Sequence, residues 1–199
     1  MARLLEEPCE IWADNGVKVL HTHFLFYIPK SVFGQTMTLA LYEKLLMTQN
    51  RGQVPGLWYS DDFPKIYMED QEIQGGYWLL MTRDAVPGTR AQGFDKAKRV
   101  IENAGYLVPT YFEVLLAVTL NYVKFGQRIL KGDVSEGFSK NAIPEENTLS
   151  MCTDLIDGKR CIIGCFDQYN QLSLDSMGPE RLEQFQSYIG LCGVKRIDP

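Results

Sequence analysis

The chain has two histidines, His21 and His23, two residues apart. On an extended strand that spacing puts both imidazoles on one face, about 7 Å apart, where a His-x-His pair can chelate a metal ion. A third ligand has to come from elsewhere, and Cys9, Glu10 and Asp14 are the candidates just upstream. The same face would otherwise carry Val17, Val19, Leu25 and Tyr27, so the competing account is a pair of core histidines. A Cys-His nucleophile needs a thiolate of lowered pKa beside one of these imidazoles. Cys152 and Cys161 fall on expected strands that could approach them, but no nucleophile elbow and no cysteine at a helix start marks such a site.

A second polar group follows an apolar run: Thr82, Arg83, Asp84, Thr89 and Arg90. Loops at strand ends are where sites are commonly built, and an arginine pair can clamp a carboxylate or phosphate. The plainer account is a turn in which Asp84 caps backbone amides and the arginines meet nearby acids. Among the aromatic residues in or near expected loops are Trp12, Trp58, Tyr59, Tyr67 and Tyr77. Gathered on one surface they would anchor a protein partner, and otherwise they cover the edge of the core. Cys161 and Cys165 are spaced C-x3-C around apolar Ile162-Ile163-Gly164. On a strand they sit about 13 Å apart, too far for one ion, so they read as small buried hydrophobes. No glycine-rich phosphate loop is present, and the adjacent acids Asp61-Asp62 and Glu145-Glu146 point apart.

The elements that must position these groups are legible in outline. Residues 17–28 are apolar and β-rich on both faces and read as a central strand ended by Pro29. Residues 36–49 repeat apolar side chains at helical spacing. Residues 53–74 are rich in breakers and read as loop, with a short strand at 57–60. Residues 76–82 read as a strand, and Phe94, Ala97, Ile101 and Ala104 as a helix stopped by Gly105. Thr110 and Glu113 form a capping box for a mostly apolar helix over 111–125, the expected main packing partner of the sheet. Residues 131–147 are polar and read as a flexible loop. A meander follows: strands at 149–156, 159–166 and 171–174, the first two joined by an Asp157-Gly158 type I′ turn. A helix starts at Pro179 with Leu182, Phe185 and Ile189 on its apolar face, Gly190 ends it, and 191–197 can close as an edge strand. Helices and strands do not alternate, so the expected class is α+β: one domain, with a largely antiparallel sheet packed against a buried central helix.

Composition narrows the function classes. The 199 residues are 45% hydrophobic and 23% charged, as in ordinary globular chains. Twenty basic and 25 acidic residues leave a net charge of -5 with no cationic run, which disfavours nucleic acid and anionic membrane surfaces as partners. No apolar stretch reaches membrane-spanning length, residues 1–8 carry no leader pattern, and the five cysteines are odd in number. A soluble cytoplasmic protein with reduced thiols is the expectation, and secretion without a leader would leave no mark.

One segment carries a resemblance. Tyr77-Trp78-Leu79-Leu80-Met81-Thr82-Arg83-Asp84 with Pro87-Gly88-Thr89-Arg90 resembles a W-[VL]-L-[ML]-T-[KR]-D-x-x-P-x-[ST]-R block. That block belongs to an uncharacterised, multi-copy protein family of amoeba-associated, chlamydia-like intracellular bacteria. Val108-Pro109 and Glu113 resemble that family's V-P-x-x-x-E helix start, residues 160–166 its glycine-containing strand and 189–197 its closing strand. The likeness spans roughly residues 76–197. It brings no catalytic residues, but in some members the block follows leucine-rich repeats, which implies an interaction role and draws attention to Arg83, Asp84 and Arg90. The expected function is a non-catalytic protein-interaction domain without a cofactor, host-directed on the strength of the resemblance. A small hydrolase or metal-dependent enzyme using His21 and His23 stands as the alternative, and a structural assembly subunit as a third reading.

Overall fold

The computed structural model describes residues 2–12, 16–49, 57–59, 72, 75–127, 129–130, 149–166, 172–184 and 187–199. Two sheets and a helix between them organise the chain. The first sheet has three strands in the order β1 (His23–Ile28), β5 (Tyr77–Thr82), β10 (Val194–Ile197), all antiparallel. The second has five, in the order β4 (Leu57–Tyr59), β8 (Leu172–Met177), β7 (Lys159–Phe166), β6 (Leu149–Ile156), β9 (Ile189–Gly190). Its two edge pairings, β4 with β8 and β6 with β9, are parallel and the others antiparallel. The chain is therefore α+β with largely antiparallel pairing, as its sequence implies. The sheet expected as one unit is divided in two, plus a small hairpin of β2 (Ser31–Val32) and β3 (Gln35–Thr36).

Helix α5 (Tyr111–Phe125) packs against β1 on one side and β6 and β7 on the other, and residues 111–119 are buried without interruption. Its start is fixed locally. Thr110 Oγ1 accepts from the Glu113 amide at 3.3 Å, and Glu113 Oε2 accepts from the Thr110 amide at 2.8 Å. Its end is Gly126, whose φ of 64° suits a residue without a Cβ. The largest core cluster joins Phe24, Ile28 and Leu79 of the first sheet to Val114, Leu115 and Val118 of α5 and Ile163 and Leu174 of the second.

Alternation along β7 sends Ile162 to the opposite face from Ile163. There it meets Ala97 and Ile101 of α4 (Phe94–Asn103), with Met151, Met177 and Ile189. The outer face of the first sheet is covered by the N-terminal segment. Leu4 and Leu5 of α1 (Ala2–Glu6), with Cys9, Ile11 and Trp12, pack on Leu25, Leu80 and Ile197.

Four expectations need correction. The strand read over residues 17–28 is broken: Val19–Thr22 form a helical turn, α2, and the strand starts only at His23. Tertiary contacts override the β propensity here. Arg83 donates from its amide to Thr22 O at 2.8 Å and from Nη2 to Leu20 O at 3.3 Å, holding the turn's carbonyls off the sheet. The helix over 36–49 starts later, as α3 (Leu39–Gln49), because Gln35–Thr36 belong to the hairpin. The closing strand is split into β9 and β10, each in a different sheet. The last helix, read with Ile189 on its apolar face and Gly190 as its stop, is the short α6 (Pro179–Gln184), and Ile189–Gly190 form β9 instead. Asp157 and Gly158, with φ of 50° and 76°, make the β6–β7 turn as read from their types. The loop read over 131–147 lies outside the described residues. Among the described residues no helix is long and apolar enough to cross a membrane.

Candidate functional site

The two histidines are not on one face of a strand. His21 ends up exposed on α2, whereas His23 opens β1 and is only 2% exposed. Thr22 Oγ1 shares a hydrogen bond with His23 Nδ1 at 2.8 Å. The imidazole stacks on Tyr106 at 5.5 Å and meets the Trp12 ring edge-on at 6.1 Å. Its Nε2 is buried and has no hydrogen-bond partner among the described residues. Burial, with smaller contributions from Lys195 and Arg83, lowers its pKa from 6.5 to about 4, so the ring is neutral at pH 7. Of the proposed third ligands, Cys9 is buried, Glu10 reaches Lys195 at 3.7 Å, and Asp14 lies outside the described residues. Among the described residues no three His, Cys, Asp or Glu side chains gather as metal ligands.

The thiols are packing groups. Cys152, Cys161 and Cys192 are fully buried. Burial is the largest influence on each: it pushes Cys161 and Cys192 up to about 12, and Cys152 well above its ordinary value. A thiol at about 12 rather than 9 holds roughly a thousandfold less thiolate at neutral pH. In the native protein these three are expected to resist iodoacetamide at mildly alkaline pH and to react at once in denaturant. Peptide mass mapping checks this, and fast native labelling at any of the three would show an accessible thiolate.

The turn after β5 is a clasp. Thr82 Oγ1 donates to Asp84 O at 2.8 Å and accepts from the Gly193 amide at 3.1 Å. Thr89 Oγ1 donates to Val86 O at 2.6 Å and accepts from the Leu191 amide at 3.0 Å. The two threonines thus hold the 191–193 backbone where it passes from β9 to β10. Gly190 completes the fit, since a Cβ there would stand 2.5 Å from Ala85 Cβ. Arg83 lies over the Phe24 ring at 4.3 Å and donates from Nε to His23 O at 3.1 Å. Asp84 Oδ1 accepts from the Ala85 amide at 2.7 Å and from Arg90 Nη2 at 3.2 Å. Arg83, Asp84 and Arg90 are therefore engaged within the fold, and the arginines are not set as a pair around an anion site.

The aromatic residues do not form one patch. Trp12 is half-buried against His23, and Tyr77 turns inward. Trp58 and Tyr59 lie on β4, opposite Ser173 and Leu174. Their side chains, like all of Tyr67, lie outside the described residues.

Three features escape the sequence reading. Glu113 is 1% exposed and does more than cap its helix. Its Oε1 accepts from Tyr77 Oη at 2.8 Å and Arg196 Nε at 2.7 Å, and its Oε2 accepts from Arg196 Nη2 at 3.0 Å. This bidentate pair ties α5 to the first sheet, and hydrogen bonding to Glu113 raises the Arg196 pKa above its ordinary value. Phe33 stands at the tip of the β2–β3 hairpin, 84% exposed, with φ of 50° beside Gly34 at 77°. A half-open apolar groove of about 260 Å³ runs between α4, α6 and the β6–β9 edge. Phe94, Met151, Pro179, Leu182 and Ile189 line it together with the exposed carboxylate of Glu183.

No protein-family model, curated protein or solved structure matches this chain.

Proposed function

We propose that the protein is a non-catalytic interaction domain that presents the Phe33 hairpin to a protein partner. Phe33 carries this reading. A two-residue hairpin turn with positive φ at both positions favours Asn-Gly or Gly-Gly, because a Cβ is strained there. This turn is Phe-Gly, and the phenyl ring is left in water. A strained, exposed aromatic residue contributes nothing to its own fold, whereas aromatic side chains dominate binding energy at interfaces. The buried, protonated thiols of Cys152, Cys161 and Cys192, the engaged arginines and the neutral, enclosed His23 add support, since none is poised for acid–base or nucleophilic work.

Two measurements test this. Phe33→Asn creates the preferred turn pair and is expected to stabilise the fold by about 1 kcal/mol, raising Tm by roughly 2–4 °C. A photocrosslinking phenylalanine analogue at position 33 is expected to trap one specific polypeptide from native extract. The same analogue at Leu155, exposed on β6, is expected to trap none. Equal yields at the two positions, or a Phe33→Asn variant less stable than the parent, would count against the reading.

A further inference from the structure

Resting on the interaction reading, we infer that the partner of the Phe33 hairpin is a second copy of this chain, docked through its α4–α6 groove. The two surfaces match in size. One is a single aromatic side chain lifted on a two-strand finger. The other is an apolar groove of about 260 Å³, below the roughly 300–1,000 Å³ typical of small-molecule pockets and suited to one side chain. Phe94, Met151, Leu182 and Ile189 offer only apolar and aromatic contact, which is what a phenyl ring requires.

The charges agree as well. Residues 30–36 carry one charge, the exposed Lys30, and no acid. The groove lining carries one charge, the exposed Glu183, and a neighbouring cation, Arg160, is engaged on the Phe94 ring at 3.6 Å. Neither Lys30 nor Glu183 forms a salt bridge among the described residues. Seating Phe33 in the groove would bring Lys30 toward the acidic edge formed by Glu183 and Glu180.

Finger and groove are different surfaces of one chain, so the contact is heterologous. It leaves a free finger at one end and a free groove at the other, and association proceeds to chains unless the rotation closes a ring. One ring and one exposed ion pair bury far less than the roughly 1,200 Å² of a stable interface, so assembly is reversible and concentration-dependent.

Sedimentation velocity up to roughly millimolar protein reads this directly. The parent chain is expected to grow beyond a dimer as concentration rises. Phe33→Asn and Glu183→Lys are both surface changes, and each is expected to weaken self-association at least about tenfold. Mixed together, they are expected to form a 1:1 dimer and nothing larger, because only one intact finger and one intact groove remain. Lys30→Glu combined with Glu183→Lys restores the charge pairing and is expected to regain most of the association. Far-ultraviolet circular dichroism checks that each variant is folded. A parent chain that stays monomeric throughout, or a Phe33→Asn variant that assembles like the parent, overturns the inference. If the parent is monomeric while position 33 crosslinks a different polypeptide, this inference falls and the interaction reading stands. If the parent is monomeric and position 33 crosslinks nothing, both fall.

Discussion

Arg196→Met is expected to cost about 3 kcal/mol of stability, the low end for breaking a buried ion pair by removing one partner. The asymmetry of the pair sets this size. The Glu113 side chain is 1% exposed and the Arg196 side chain 39%. Deleting the arginine leaves a carboxylate that cannot reach water, held among the described residues by Tyr77 Oη, the Thr110 amide and the Thr110 hydroxyl. Deleting the carboxylate leaves a guanidinium that can turn outward and hydrate. Glu113→Gln keeps a capping-box residue type and is therefore expected to cost less than Arg196→Met, although both break the same contact.

In a chain of this length the arginine variant should lower Tm by roughly 6–12 °C. Lys195→Met is the contrast. Lys195 meets Glu10 at 3.7 Å across a solvated surface, and its loss is expected to cost under about 1 kcal/mol. A double-mutant cycle isolates the pairing. Glu113→Gln introduced into Arg196→Met is expected to cost less than it does in the parent, or to stabilise, because it removes the stranded charge. An Arg196→Met effect no larger than that of Lys195→Met would show that the pair is open to solvent and does not hold α5 to the sheet.

The same carboxylate shows which parts of the molecule sequence discloses. The capping box is legible because Thr110 and Glu113 are three residues apart and answer to one helix turn. The other partners of Glu113 lie 36 and 83 residues away and leave no local pattern. Asp157-Gly158 is readable for the same reason as the box, since a turn is decided by its own two residues. Phe33-Gly34 is the same kind of turn with a poor residue in first place, so reading for turn formers passes over it.

The Thr82 to Arg90 block illustrates a different limit. Its residue types are those of a binding loop, but Thr82 and Thr89 spend their hydroxyls on amides 111 and 102 residues downstream. A polar cluster can be a site or a fastening, and only its long-range partners decide which. The groove too is assembled from α4, β6, α6 and β9, four segments contributing one to three residues each, with no motif in any of them.

His23 is expected to make the fold acid-labile between pH 6.5 and about 4. Its packing gives the reason. The imidazole is enclosed by Tyr106, Trp12 and Thr22, and the charged groups Lys195 and Arg83 nearby are both cations. Glu10, the acid that Lys195 meets at 3.7 Å, is engaged there. A proton on the ring would leave a buried cation whose Nε2 has no acceptor among the described residues. The native pKa is therefore depressed from 6.5 to about 4, while the unfolded chain keeps the ordinary value. Between those values the unfolded state binds a proton that the native state refuses, so stability rises with pH across the window and is lost as pH falls through it.

The full effect is on the order of 3 kcal/mol, reached near pH 4. Asp154 works the other way: burial raises its carboxyl pKa, so its contribution to stability grows on acidification. The contribution of His23 is accordingly read as a difference between variants. His23→Phe keeps the stack on Tyr106 and removes the titration. Urea unfolding at a series of pH values should show the parent losing stability relative to His23→Phe as pH drops through the window, with the two curves parallel above pH 7. Because the ring rests on Trp12 and the first β5 neighbour of His23 is Thr82, the acid-weakened region should be the N-terminal segment over the outer face of the first sheet. Hydrogen exchange at Cys9, whose amide donates to Val17 O at 2.7 Å, should therefore quicken before exchange in α5. Parallel stability curves down to pH 4 would mean that the native ring takes up its proton as readily as the unfolded one.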